Sequence, residues 1–475
     1  MALVLIGFMG AGKTTAVREA GGVDTDDLIA ERHGEPVEAL FDRVGEARFR
    51  EIEEQVVLEA LDSGAEVLAL GGGAVLSPRV RERLRAGDHV VAWLEVDVET
   101  AWERAAHDGR PLARDPDTFG DRFAERQELY AALADAFVDA TADPVPLDAL
   151  TSVRPGERLI LSRVHPVWFE RPADERPGDF VVSDEHVAPL HAPGAFAIAA
   201  GEEHKTLATA QTLWTEMARR GVTRAGRVVA VGGGVVGDVA GFVAATYQRG
   251  VPIVHVPTTL VAQVDSAYGG KTAVDLPEAK NYVGAYHQPQ AVHVLHATLA
   301  TLPAPERAAG YAEVVKTALI AGGPLWERVR AGAVDDPDVV LACARTKLAV
   351  VAQDERDGGR RQVLNLGHTV GHAIEVAAGY GTYRHGEAVG LGLLAALRLS
   401  GASDLRGEVA SLLAAQGLPT RMEHAEAAAV VAATRLDKKR LGDGTPFVLV
   451  GAPGDVTPGH EVGEAELSAA VAELA

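Results

Sequence analysis

The sequence predicts an α/β protein of three units: an α/β unit with a parallel sheet, a second α/β unit, and a mostly α-helical one. Two observations carry the α/β assignment. Short apolar strands, Ala2–Ile6 and Arg227–Val231, each run straight into a glycine turn, and strands alternate with helix-patterned stretches in both regions. A third sets off the last unit: beyond Leu302 the chain is rich in Ala, Leu, Val and Glu, and only Pro446–Val450 reads as a strand.

In the first unit, further strands are expected at Val67–Leu70 and Val90–Glu95. Between them Glu46–Leu61 places Phe49, Ile52, Val56 and Ala60 on one helical face, with Arg50 on the polar side. After Asp139 the stretch TADPVPLDALTSVRPGER, rich in Pro, Asp, Ser and Thr, reads as a linker. The second unit begins near Arg158 and has a further strand at Pro252–Val256. The expected boundaries are 1–145, 158–302 and 303–475. The glycine turns LGGGAV and VGGGVV look alike, but a strand meeting a turn explains both without an internal repeat.

Bulk composition narrows the partners. The chain has 475 residues, 47% of them hydrophobic, and a formal net charge of -22. That charge disfavours nucleic acid and anionic membrane surfaces, so an anionic substrate must be drawn in by local Lys and Arg clusters. A single cysteine, Cys343, excludes an internal disulfide framework and fits a reducing, cytoplasmic setting. No apolar run reaches the ~18 residues of a membrane span.

Gly7-Phe-Met-Gly-Ala-Gly12-Lys13-Thr14 has the spacing of a phosphate-binding loop between a strand and a helix. Glycines turn backbone N–H groups toward phosphates, Lys13 reaches the outer ones, and Thr14 can hold Mg²⁺. In Asp24-Thr25-Asp26 one carboxylate can support the metal and the other an acceptor hydroxyl. Arg50, Gly71-Gly72-Gly73, Arg110 and Arg126 add cations and an open backbone. Taken one at a time, most of these would be structural.

Together, GFMGAGKTT, DTD, FREIE, LGGGAV, GRPL and RQELY resemble shikimate kinase over about residues 1–140. The resemblance implies a P-loop kinase domain that phosphorylates shikimate. ATP and Mg²⁺ would lie on Gly10, Gly12, Lys13, Thr14, Thr15 and Asp24, and shikimate on Asp26, Arg50, Gly72, Gly73 and Arg126. Asp26 would place the acceptor hydroxyl, and Arg110 would be the lid arginine that neutralises the transferring phosphoryl group. There is one departure. Only ten residues separate Lys13 from Asp24, fewer than the family has there. A degenerate kinase-like module is therefore the alternative for this half.

Gly232-Gly233-Gly234-Val235-Val236-Gly237-Asp238 contains a G-x-G-x-x-G after a strand, as a dinucleotide site requires. The acid expected ~20 positions later is missing, because Pro257-Thr258-Thr259 stands there. Downstream, Glu313, His368, His372 and His385 are metal candidates. His368 and His372 are four apart and share a helical face, as two ligands of one ion can. Two His and one carboxylate suit a catalytic zinc site, and spacing alone does not decide which His is left out. Arg249, Lys271, Lys280-Asn281, Lys316, Lys347 and Arg361 recur beside these motifs, as anion binding needs.

From about residue 160 onward the chain is similar to 3-dehydroquinate synthase. The matching motifs are GEEHKT, VGGGVVGDVAGFVAATYQRG, PTTLVAQVDSAYGGKTAVDLPEAKNYVGAYHQP, AGYAEVVK, DERDGGRRQVLNLGHTVGHAIE, YRHGEAVG and LDKK. The resemblance implies a Rossmann-like NAD domain followed by a helical metal-binding domain, and a homodimer through the synthase part. Zn²⁺ or Co²⁺ would be held by Glu313, His368 and His385, leaving His372 on the substrate side. NAD would contact Glu202, Lys205, Gly233, Gly234, Asp238, Thr258, Thr259, Lys271 and Lys280. Substrate would meet Asp265, Lys271, Asn281, Lys316, Lys347, Arg361, Asn365, His372, and Lys438 or Lys439, with Arg249 at its phosphate. The reaction implied converts the seven-carbon sugar-acid phosphate DAHP to 3-dehydroquinate with loss of phosphate. A related sugar-phosphate cyclase or a metal-dependent polyol dehydrogenase is the alternative on the same fold; the dehydrogenase would release NADH. Asp357 stands where the family usually has Glu and is left out of the expected site.

Overall fold

Leu3–Ile6 (β1) is buried at all four positions, as a central strand of a parallel sheet must be. The structure is a computed structural model. It describes residues 1–107, 115–141, 144–441 and 447–475, excepting the side chains of 106–107 and 435–441. The chain forms two compact units, Met1–Glu170 and Arg171–Ala475.

In the first unit β1 is followed by β2 (Val23–Asp24), β3 (Val67–Ala69), β4 (Val90–Glu95), β5 (Ala136–Asp139), β6 (Arg158–Leu161) and β7 (Pro166–Phe169). They pair in the order β2-β3-β1-β4-β5-β6-β7. All neighbours are parallel except β6 and β7. With β2 and β3 added on one side of β1 and β4 onward on the other, the carboxyl end of β1 is a topological switch point. A ligand crevice opens at such a point.

The expected linker is not one. Val145, Leu150, Val153 and Leu159 are buried in the core of this unit, around a helix at Leu147–Thr151. Their spacing is hidden in sequence by the intervening Pro, Asp and Ser.

In the second unit β8 (Phe180–Asp184), β9 (Phe196–Ile198), β10 (Val228–Gly232) and β11 (Ile253–Pro257) come first. The hairpin β12 (Lys271–Leu276) and β13 (Ala279–Tyr286) follows, then β14 (Ala291–Val294). The parallel order β14-β11-β10-β8-β9 puts the switch point between β8 and β10, at the start of the glycine turn.

The last part is helical, as expected, apart from the hairpin β15 (Phe447–Ala452) and β16 (Asp455–His460). Its Ala304–Ala321 helix is buried continuously from Ala309 to Ile320, and the His385–Leu399 helix nearly so. Helices apolar on all sides are enclosed by neighbours. This carries Glu313 and Lys316, one turn apart, into the interior. Among the described residues no helix is long and apolar enough to cross a membrane.

Candidate active sites

At the end of β1 the loop bends through Gly10 and Gly12, with φ of 80° and 83°. L side chains avoid these values. A Cβ on Gly10 would also stand 2.6 Å from the Ala101 carbonyl oxygen. Lys13 lies over the loop and donates to the Gly7 and Phe8 carbonyls at 2.8 and 3.0 Å. The helix behind it, Lys13–Glu19, is seven residues long. That length suffices to bring the two Mg²⁺ candidates together: Thr14 Oγ1 donates to Asp24 Oδ2 at 2.7 Å. Asp24 Oδ1 accepts from Asp26 N at 2.9 Å and caps the next helix, which fixes both acids. Thr15 is exposed on the first turn.

Beside the loop opens a cavity of about 320 Å³ lined by Asp26, Arg50, Gly72, Gly73 and Arg126, with Thr14 and Asp24 also in its lining. Arg50 is mostly buried, against the polar position its helical face suggested. It lies 5.6 Å from the Phe49 ring and 2.6 Å from the carboxylate of buried Glu53. Burial opposes its charge, but Glu53 and then Glu46 outweigh this and raise its pKa. Arg126 and Tyr130 both donate to the Gly72 carbonyl, at 3.2 and 2.6 Å, so the glycine backbone is pinned where a substrate would approach. Sequence reasoning missed Glu53 and Tyr130. Their signal was the helical spacing, three after Arg50 and four after Arg126. Arg110 lies outside the described residues.

In the second unit the turn after β10 leads into the helix Gly234–Thr246, with Gly233 as its N-cap. Asp238, on the second turn, meets buried Lys205 at 2.5 Å, and Glu202 lies 3.7 Å from the same ammonium. Lys280 stands 3.9 Å from Glu202. Burial opposes charge on Lys205, but Asp238 and then Glu202 raise its pKa. Thr258 N donates to Gly232 O at 3.0 Å, and its hydroxyl is buried without a hydrogen bond among the described residues. This gathers Glu202, Lys205, Asp238 and Lys280 into one network.

Deeper in the same unit, Glu313 is fully buried, with its Oε2 against the Lys316 ammonium and its Oε1 turned toward two imidazoles. The Nε2 atoms of His368 and His385 face its Oε1 at 3.5 and 3.4 Å. Three ligands at zinc distances in a tetrahedron are ~3.3 Å apart, so this donor set fits a divalent ion. His368 Nδ1 is 3.2 Å from the Leu366 carbonyl, which leaves Nε2 for a metal. Burial drives the His368 pKa down to about 3. Burial also opposes charge on His385, but the Glu313 and Glu375 carboxylates outweigh it and push its pKa up to about 10. The sequence alternative, a His368–His372 pair, is not the tightest set. His372 is exposed and groups instead with Glu375 and His385.

Two lysines lie beside the donor set. Lys316 is 2.5 Å from Glu313 and 3.4 Å from Asp265, and Lys347 is 2.9 Å from Asp265. Burial would raise the Asp265 pKa; Lys316 and Lys347 overcome this and hold it low. Lys271 pairs with Asp357, so the residue left out of the expected site touches one within it. Buried Arg361 donates to the Gly269 and Glu355 carbonyls. Asn281 and Asn365 are exposed nearby in sequence to Lys280 and His368. Arg249 is not brought to the cluster within one chain. It is exposed beyond the far end of the helix that begins at Gly234, about 20 Å along the axis at 1.5 Å per residue. The side chains of Lys438 and Lys439 lie outside the described part. Glu375, buried between His385 and Lys280, was also missed.

Both parts of the chain resemble known proteins. Residues 9–153 match the shikimate kinase family model. Residues 195–309 and 310–440 match the 3-dehydroquinate synthase N-terminal and C-terminal models. The 3-dehydroquinate synthase of Desulforamulus reducens is 40% identical over 341 residues, 66% of this chain and 94% of that protein. A 2-deoxy-scyllo-inosose synthase solved with carbaglucose-6-phosphate, NAD⁺ and Co²⁺ is 25% identical, with a TM-score of 0.58 over 67% of this chain and 100% of that one. The 2-epi-5-epi-valiolone synthase of Streptomyces hygroscopicus, solved with NAD⁺ and Zn²⁺, is 25% identical, with a TM-score of 0.60 over 65% of this chain and 96% of that one.

Proposed function

Because this chain belongs to the 3-dehydroquinate synthase family and carries a shikimate kinase domain ahead of the synthase, we propose that it catalyses both reactions at separate sites. The first unit phosphorylates shikimate with ATP and Mg²⁺. The second converts DAHP to 3-dehydroquinate with NAD and Zn²⁺ or Co²⁺.

One observation carries each half. For the synthase it is the buried Glu313 oxygen facing two imidazoles, with Lys316, Lys347 and Asp265 beside it. For the kinase it is a cavity that brings Asp26, Arg50, Gly72, Gly73 and Arg126 together with the Thr14–Asp24 pair.

In the kinase site the chemistry is positioning and charge stabilisation. Arg50 and Arg126 grip the acceptor's carboxylate, and Asp26 accepts the proton of the hydroxyl that attacks. Lys13 moves from the loop carbonyls to the outer phosphates, and Arg110, by the family resemblance, neutralises charge on the transferring group. In the synthase site Glu313, His368 and His385 hold the ion, while Glu202, Lys205 and Asp238 hold the nucleotide's ribose side. When bound, NAD⁺ takes and returns a hydride and the divalent ion polarises the oxygen at that carbon. Lys316 and Lys347 bind the anionic substrate, and Asp265 keeps both ammonium groups in place. Lys271, held by Asp357, faces the substrate from β12, and His372 stands at the exposed edge. A homodimer through the synthase part, in the cytoplasm, completes the reading.

The stoichiometry of turnover tests the synthase half. Each DAHP consumed is expected to release one phosphate with no net NADH. Accumulation of one NADH per turnover would instead identify a dehydrogenase.

A further inference from the structure

On the reading that Glu313, His368 and His385 hold the ion, we infer that Glu375 is the positioning residue of that centre, orienting His385 through its second ring nitrogen. Glu375 follows His368 by seven residues, two helical turns, and so lies on the same face of the His368–Ala378 helix. It is buried, and its two oxygens are divided. Oε1 accepts from Lys280 at 3.2 Å, while Oε2 stands 3.6 Å from His385 Nδ1. The opposite nitrogen of the same ring, Nε2, is the one that faces Glu313 at 3.4 Å. One imidazole thus lies between a ligand carboxylate and an outer carboxylate.

The 3.6 Å contact is longer than a hydrogen bond, and a shift of well under an ångström closes it. A carboxylate there selects the tautomer with hydrogen on Nδ1, keeps the Nε2 lone pair directed at the ion, and makes the ring a stronger donor. A plain buried Glu–Lys pair does not require the second oxygen to point at a metal ligand. Lys280 contributes in its turn: it compensates the Glu375 charge and lies 3.9 Å from Glu202. It therefore links the outer carboxylate to the nucleotide network.

Outer partners of metal-bound histidines typically change metal affinity by about 10–100-fold when removed. The test is Co²⁺ binding to metal-free full-length protein, by equilibrium dialysis and visible absorption, for wild type, Glu375→Gln, Glu375→Ala and His372→Ala. The wild type is expected to bind one Co²⁺ per chain. Gln, which fills the same volume without charge, should raise Kd about tenfold and Ala up to about 100-fold. His372→Ala should retain the wild-type spectrum.

Wild-type affinity in both Glu375 variants overturns the inference and leaves the ligand assignment standing. Loss of the ion in His372→Ala as well as in Glu375→Ala overturns it differently, because Glu375 is then itself a ligand. No Co²⁺ bound by wild type sinks the ligand assignment and this inference together. Imidazole ¹⁵N spectra of zinc-loaded wild type give a check that needs no variant: His385 must carry its proton on Nδ1, and a proton on Nε2 overturns the inference.

Discussion

Replacing Gly73 with Ala should damage shikimate binding without damaging the fold. Gly73 has φ -95° and ψ -11°, a right-handed conformation open to alanine, so the backbone carries no strain. The new Cβ, however, would stand 2.0 Å from Arg50 Nη1 and 2.5 Å from Cζ. To reach ordinary contact near 3.4 Å the guanidinium must withdraw by about 1.4 Å. The move loosens the 2.6 Å pair of Nη1 with buried Glu53, a cost that the flexible end of the side chain limits. Gly→Ala at a compatible site even stabilises by about 0.4–1 kcal/mol through the unfolded chain. For the substrate the move is expensive. A hydrogen bond to a charged group contributes about 1.5–3 kcal/mol. At ~1.4 kcal/mol per tenfold, KM for shikimate should rise about 10- to 100-fold. The assay is ATP-dependent phosphorylation of shikimate with a coupled ADP readout, with thermal unfolding in parallel and Arg50→Ala as the reference. A shikimate KM within twofold of wild type in a folded Gly73→Ala protein refutes the placement of Arg50.

Other expectations concern stability and the nucleotide site. His165 is buried, and burial lowers its pKa to about 4 from 6.5. Between those values the unfolded chain binds more protons than the folded one, so acid removes stability. This residue's share is roughly 3 kcal/mol, present above pH ~6.5 and lost as pH falls toward 4, and His165→Gln should flatten chemical-denaturation stability across that window. Lys205→Met removes the cation beside part-buried Asp238, which should destabilise the second unit and weaken NAD⁺ binding measured by nicotinamide fluorescence. An unchanged NAD⁺ affinity would remove Lys205 from that site.

Much of both candidate sites is legible in the sequence because glycine turns and charged motifs are local features. Strand β4 and the Glu46–Leu61 helix fall where the apolar pattern put them, since each meets the core along its whole length. What was hidden depends on distant partners. Val145, Leu150 and Val153 look like linker until the sheet beside them supplies a core. The β12–β13 hairpin interrupts what reads as one run of substrate motifs. His368 and His372 share a helical face, but the candidate donor group is completed by Glu313, which the Ala304–Ala321 helix brings in, and no spacing on one helix records that. Glu375 was passed over for the same reason: its partners, Lys280 and His385, come from other elements. Asp357 was set aside as a departure, yet it reaches Lys271 from a left-handed backbone conformation at φ 65°.

The claim that two independent active sites share this chain is tested most directly by assaying one preparation for both reactions, in wild type, Lys13→Ala and His368→Ala. Lys13→Ala should abolish phosphorylation of shikimate and leave phosphate release from DAHP at the wild-type rate. His368→Ala should do the reverse. If wild type fails to phosphorylate shikimate, or if either substitution abolishes both activities in folded protein, the account of two separate sites is contradicted.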